Sequence, residues 1–118
     1  MRDRSTEMRM LVYPEPVTLA SFAKTQGPIG QVTSKIYEGL VTYDVDMNPV
    51  AQLAESWTLS DDMQSFQFKL RSDVLFHDGS AFSAEDVKFS FYSVLKERHP
   101  RGCSTLKNLV KVDTPDPH

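Results

Sequence analysis

Three histidines, one cysteine and several paired carboxylates are the side chains of this sequence with the chemistry to catalyse or to hold a metal. His77, His99 and His118 lie far apart, and neither His-x₃-His nor Cys-x₂-Cys occurs. The short ligand spacing of a zinc site is therefore missing. Cys103 stands in Arg101-Gly102-Cys103-Ser104, where a neighbouring arginine could activate a thiol, but no nucleophile signature surrounds it. Asp61-Asp62 reads as a turn and Glu85-Asp86 as a helix start. A carboxylate pair for glycoside cleavage must face its partner across a cleft, a relation that spacing along the chain does not define. Gly27-Pro28-Ile29-Gly30 lacks the further glycines and the lysine of a phosphate loop, so a plain loop is the better reading. Trp57, alone in a stretch of mixed polarity, suits a core more than a stacking platform. His77-Asp78 leaves a small hydrolase as the enzyme reading, with little to support it.

These residues sit on a chain of 118 residues and 13.4 kDa, one domain's worth of polypeptide. Scaling predicts roughly 6,500 Å² of folded surface against about 19,000 Å² unfolded, enough for a modest core. Hydrophobic residues make up 40% and charged residues 25%, which disfavours disorder and coiled coil. The net charge of −3 argues against a nucleic-acid binder, which would carry a basic excess. One cysteine closes no intramolecular disulfide. No apolar run approaches the roughly 18 residues of a membrane span. Charge is uneven: residues 36–62 hold six acids and no Lys or Arg, whereas the last 32 residues sum to +3. Pairing within the chain accounts for that pattern more simply than a cation-binding surface.

The polar start Met1–Arg9 is followed by no apolar stretch of the kind a secretory signal needs. Met10–Tyr13 is a short apolar run stopped by Pro14 and Pro16, which predicts an edge strand. Ser21–Gly30 reads as loop, and Val32 and Ile36, four apart, predict a short helix over 31–38 ending at Gly39. Leu40–Tyr43 reads as a strand, and Asp44 to Pro49 as a turn whose Asp and Asn bond their own backbone. Ser56–Leu59 and Phe66–Leu70 flank Ser60–Gln64 as a hairpin. Phe66, Phe68 and Leu70 alternate with polar residues, which predicts one face buried against a helix. Val74–Phe76 and the turn His77–Ser80 follow. A helix then starts at Ser83, a natural N-cap with Glu85 and Asp86 in the first turn. Val87, Phe91, Val94 and Leu95 form its stripe, widened by Phe89 and Tyr92, and Pro100 and Gly102 break it. Ser104–Val110 predicts a further helical turn, and the Pro-rich end 112–118 a connection into another element. Composition and spacing reach an α+β globular chain and no further.

Three segments, read together, resemble a known family. They are Tyr37-Glu38-Gly39-Leu40-Val41 with Tyr43-Asp44; Leu53-Ala54-Glu55-Ser56-Trp57; and Phe66–Arg71 running through Val74–Gly79 to Phe82-Ser83-Ala84-Glu85-Asp86-Val87 and Phe89-Ser90-Phe91. In this order and spacing they are similar to the family-5 extracellular solute-binding proteins, the peptide- and nickel-binding receptors of ABC importers. The similarity runs from about Val17 to His118. It implies the N-terminal part of a two-lobed periplasmic-binding-protein-like fold, in class α+β, with a small mixed β-sheet and packed helices. Residues 1–9 would be a polar tail, 10–36 the first strand and ligand-side loop of the main lobe, and 37–118 an extra small α+β domain, incomplete at its C-terminal end.

The resemblance also implies a role. Such a receptor captures a di- or oligopeptide or another small solute and delivers it to a membrane permease, without catalysis, cofactor or metal. It works in the periplasm or as a lipid-anchored extracellular protein. Thr25, Gln26, Gly27, Pro28 and Ile29 fall on the cleft-lining stretch, where Gly27 would let a ligand backbone approach and Gln26 could donate or accept. His77-Asp78-Gly79 falls on a structural turn. The family often has glycine where Met47 and Met63 stand, so a positive φ at those turns would strain a methionine. As an N-terminal piece the chain would leave an open edge near Phe66–Arg71 that invites pairing with another chain. The rival to a receptor piece is thus a self-associating interaction module.

Overall fold

Aspartates that hydrogen-bond their own backbone fold this chain into two narrow ribbons. The computed structural model describes residues 9–24 and 26–118, so Thr25 and the tail up to residue 8 lie outside the described residues. In the first ribbon β1 (Val41–Tyr43) pairs antiparallel with β2 (Pro49–Ala51). The Asp44 carboxylate closes it by accepting from the Asp46 and Asn48 amides, each at 2.9 Å. In the second, β3 (Ala54–Leu59) pairs antiparallel with β4 (Phe66–Leu70), with a register irregularity between Ala54 and Ser56. The Asp62 carboxylate accepts from the Gln64 amide at 3.0 Å and from the Ser60 hydroxyl.

Both turns place a methionine in the left-handed region, Met47 at φ 65° and Met63 at φ 56°. These turns have kept the geometry that suits glycine and carry its cost in a side chain with a Cβ. The ribbons meet at a corner where the Leu53 and Ala54 amides donate to the Gly39 and Leu40 carbonyls at 3.1 and 2.9 Å. Among the described residues each sheet is two-stranded and its pairing antiparallel.

Helix α1 spans Gly27–Thr33, earlier than the expected 31–38. Its start was hidden because Gly27, Pro28 and Gly30 read as loop punctuation. Proline in the first turn of a helix costs no hydrogen bond, since the amide it lacks would be unpaired there. No strand forms over Met10–Tyr13; Leu11 and Tyr13 are exposed.

Helix α2 (Ala84–Phe89) starts as predicted, with the Ser83 amide and hydroxyl both donating to the Asp86 carboxylate at 2.8 Å. It widens into a π-helical segment, Ser90–Lys96, and the short α3 (Gly102–Thr105) follows. The 111–117 stretch runs back along α2. There the Val112 amide donates to the Tyr92 hydroxyl, Thr114 to Glu85, and the Ala84 amide to the Pro117 carbonyl.

The core is small. Ala54, Leu70 and Phe82 are buried together, with Leu40, Leu53, Phe68, Val74, Ala84 and Val87 packed around them. Ile29 is buried as well, at 1% exposure. Accessible surface totals 9,732 Å², well above the roughly 6,500 Å² that scaling predicts for this mass. Among the described residues the ribbons are covered only near Ala54 and Leu70, where Phe82, Ala84 and Val87 pack, which leaves much apolar surface in water. The expected buried face of β4 shows it: Leu70 is 5% exposed and Phe66 62%. Phe66 pairs with Leu59 beside the turn, whereas Leu70 pairs with Ala54 at the core. Phe89, expected in the buried stripe, is exposed too, on a helix that widens just after it.

Candidate functional site

Of the stretch expected to face a ligand, residues 26–29 fold as the entry to α1, and Thr25 lies outside the described residues. Gln26 is the N-cap residue, with an extended backbone (φ −76°, ψ 143°) and its carbonyl accepting from the Ile29 and Gly30 amides at 3.1 and 3.3 Å. Gln26 and Gly27 are exposed, Pro28 is half-buried and Ile29 is buried. Among the described residues, apart from its chain neighbours and the helix's own backbone, nothing lies within 4 Å of where a Cβ on Gly27 would sit, so that side of the residue is open to an approaching molecule. Ile29 is anchored beneath: its carbonyl accepts the buried Thr33 hydroxyl at 2.8 Å. Two residues therefore present polar groups outward, and Ile29 holds the turn down.

The residues that could do catalysis are committed elsewhere. His77 points its Nε2 at the Ile36 carbonyl, 3.1 Å away, while the Asp78 carboxylate accepts from the Ser80 amide and hydroxyl at 2.9 and 2.7 Å. The neighbours in sequence thus bond to different partners. Cys103 is exposed, its Sγ 3.5 Å from the Lys96 carbonyl. Among the described residues no group of three His, Cys, Asp or Glu gathers as a metal site.

A shallow, open depression of about 380 Å³ lies elsewhere, between Pro49, Val50, Ala51, Glu55, Ser56 and Trp57. Trp57 is half-buried on its wall and pairs with Phe68 across the ribbon. The depression depends on how one ribbon turns onto the next, which no local pattern encodes. Asp44 and Asp62 are tied into turns and Glu55 into an ion pair. Hydrogen bonds from the Asn48 amide and side chain hold Asp44 below the usual carboxylate range. The Ser60 hydroxyl and Gln64 amide do the same for Asp62. Lys69 is raised by its hydrogen bond to Glu55, 2.8 Å away.

The family model for bacterial extracellular solute-binding proteins, family 5 middle, matches residues 48–118. The chain belongs to this family. It is 39% identical over 77 residues to a nickel-binding periplasmic protein of Escherichia coli (strain K12), covering 65% of this chain and 15% of that protein. It is 34% identical over 109 residues to the probable D,D-dipeptide-binding periplasmic protein DdpA of the same organism, covering 88% of this chain and 21% of that protein. Among solved structures it resembles the PBP AgaA from A. tumefaciens R10 in complex with agropinic acid. There the TM-score is 0.72 at 34% identity, over 87% of this chain and 21% of the other. The chain thus spans about a fifth of these relatives, or less. Each is described as a binding protein, and none by a reaction.

Family membership bears out the α+β class and the periplasmic-binding-protein-like fold expected from the three quoted segments. The second and third of those segments fall within the matched residues 48–118.

Proposed function

We propose that this chain is part of the solute-capturing component of an ABC importer, working in the periplasm or at the outer face of a membrane, and that its solute is a di- or oligopeptide. The observation that carries this reading is the 34% identity, over 88% of the chain, to a protein described as a probable D,D-dipeptide-binding periplasmic protein. The solute-bound structural neighbour, aligned over 87% of the chain, supports the same class of role. A receptor of this kind needs no catalytic group. Its work is a difference in affinity between conformations, with release to a membrane permease. The commitment of His77 and Asp78 to structural hydrogen bonds favours binding over hydrolysis.

Residues 10–36 form the solute-side segment of this reading and 37–118 a separate sheet-and-helix unit. Within Thr25–Ile29, Gln26 and Gly27 meet the solute directly, Gln26 through its side-chain amide and Gly27 through its open backbone, while Pro28 and Ile29 shape the turn. Calorimetry on the complete gene product with a panel of dipeptides tests this. Gln26→Ala or Gly27→Val should weaken binding at least severalfold, in keeping with the loss of one hydrogen bond or of close approach. Unchanged affinity in both variants contradicts the assignment of these residues.

A further inference from the structure

Helical hydrogen bonding continues past Thr33. The Ser34, Lys35, Ile36 and Tyr37 amides donate to the Gly30, Val32, Thr33 and Thr33 carbonyls at 3.0, 3.0, 3.0 and 2.8 Å. The last carbonyls of such a run have no donor within it. One of them, that of Ile36, is met by His77 Nε2 from 41 residues further along the chain. A carbonyl only accepts, so Nε2 carries the proton.

The histidine is delivered there by a tightly fixed turn. The Phe76 amide donates to the Ser80 carbonyl at 2.8 Å and the Gly79 amide to the Phe76 carbonyl at 2.9 Å. Asp78 ties down Ser80, Leu75 bridges to Ala81, and Gly79 takes φ +87°, a conformation that favours glycine. The Phe76 ring packs edge-on against Phe82 of the core, with centroids 6.0 Å apart. The next residues after Ile36 are pinned too, with the Gly39 amide donating to Gln52 Oε1 at 3.0 Å.

We propose that His77 is a positioning residue, a cap supplied across the fold that fixes the C-terminal end of α1 to the Phe76–Ser80 turn. Side chains that donate to the last carbonyls of a helix complete its C-terminus, and here the donor comes from the unit that holds the core. His77-Asp78-Gly79 is then a single device: glycine and aspartate shape the turn, and histidine makes the contact. Because α1 begins at Gly27, the joint also sets where Gln26 and Gly27 stand. That consequence rests on their proposed solute role; the joint itself does not.

Amide hydrogen exchange on the full chain, with no solute added, tests the joint independently of ligand identity. His77→Ala should speed exchange at Ser34, Lys35, Ile36 and Tyr37 by about two- to tenfold, as expected for the loss of one hydrogen bond, while Ala54 and Arg71 keep their rates. His77→Gln, whose amide nitrogen falls near the position of Nε2, should restore at least half of the lost protection. Unchanged rates at the four amides in His77→Ala overturn the proposal. So does equal acceleration at Ala54 and Arg71, which would make His77 a support of the whole fold, and so does a glutamine variant as fast as alanine.

Discussion

A methyl group added to Gly102 would strike the backbone carbonyl of Leu95 in the π-helical segment, with the Lys96 carbonyl 3.1 Å away on the same side. The contact is backbone against backbone, so no side chain can swing aside to relieve it. Gly102 is buried at the start of α3, and its lack of a Cβ is what lets this helix close onto the one before. Gly102→Ala should cost about 1–3 kcal/mol, the usual range for overpacking, read as a lower midpoint in urea. A midpoint within error of the parent would mean that the two segments do not touch in solution.

Replacing either strained methionine by glycine should have the opposite sign. Met47 and Met63 hold positive φ at the tips of separate ribbons, where a side chain costs on the order of 1 kcal/mol. Glycine removes that cost but raises the entropy of the unfolded chain. The net gain should be a few tenths to about 1 kcal/mol for each of Met47→Gly and Met63→Gly. The two should add, since they sit in different turns. Thermal melts of the single and double variants check this; a loss of stability in either would show that its turn changes type in solution.

Acid should loosen three turns at once. The Asp78 carboxylate, like those of Asp44 and Asp62, is held below its ordinary value, chiefly by the Ser80 hydroxyl and then by the Ser80 amide. A carboxylate with a lower pKa in the folded state than in the unfolded state contributes its full stabilisation above the unfolded value. It loses that contribution as pH falls through the folded one. The window therefore opens below about pH 4. Carboxyl NMR titrations should place the midpoints of Asp44, Asp62 and Asp78 below those of the urea-unfolded chain, with faster amide exchange at Asn48, Gln64 and Ser80 once they are protonated. Midpoints equal to the unfolded values would contradict these hydrogen bonds.

The start of α2 rests on one side chain. With Asp86 accepting from both the amide and the hydroxyl of Ser83, Asp86→Ala should cost about 1 kcal/mol, and Asp86→Asn a smaller part of that. Chemical denaturation of the two variants measures it, and an alanine variant as stable as the parent would remove the cap from the account.

What was legible in the sequence is what is decided locally. Asp44, Asp62 and Ser83 bond within a few residues of themselves, so their turns and cap could be read from residue types, as could the period of two in Phe66, Phe68 and Leu70. How deep each of those three lies could not be read, because burial depends on what covers the face: Leu70 is buried in the core, Phe68 packs half-buried against it, and Phe66 is exposed. The start of α1 was masked by glycines that look like loop residues. The assignment of Gln26 and Gly27 to a solute comes from resemblance alone; what the structure adds is that the pair is exposed. The role of His77 was not legible, since its partner Ile36 lies 41 residues away and no motif spans that distance.

Isothermal titration of the complete gene product with dipeptides, nickel(II) and agropinic acid, followed by mass spectrometry of the recovered solute, tests the central claim most directly. The account predicts one-to-one binding of a dipeptide, returned chemically unchanged. A dipeptide cleaved during the titration, or no heat from any dipeptide alongside clear binding of one of the other two, would contradict it.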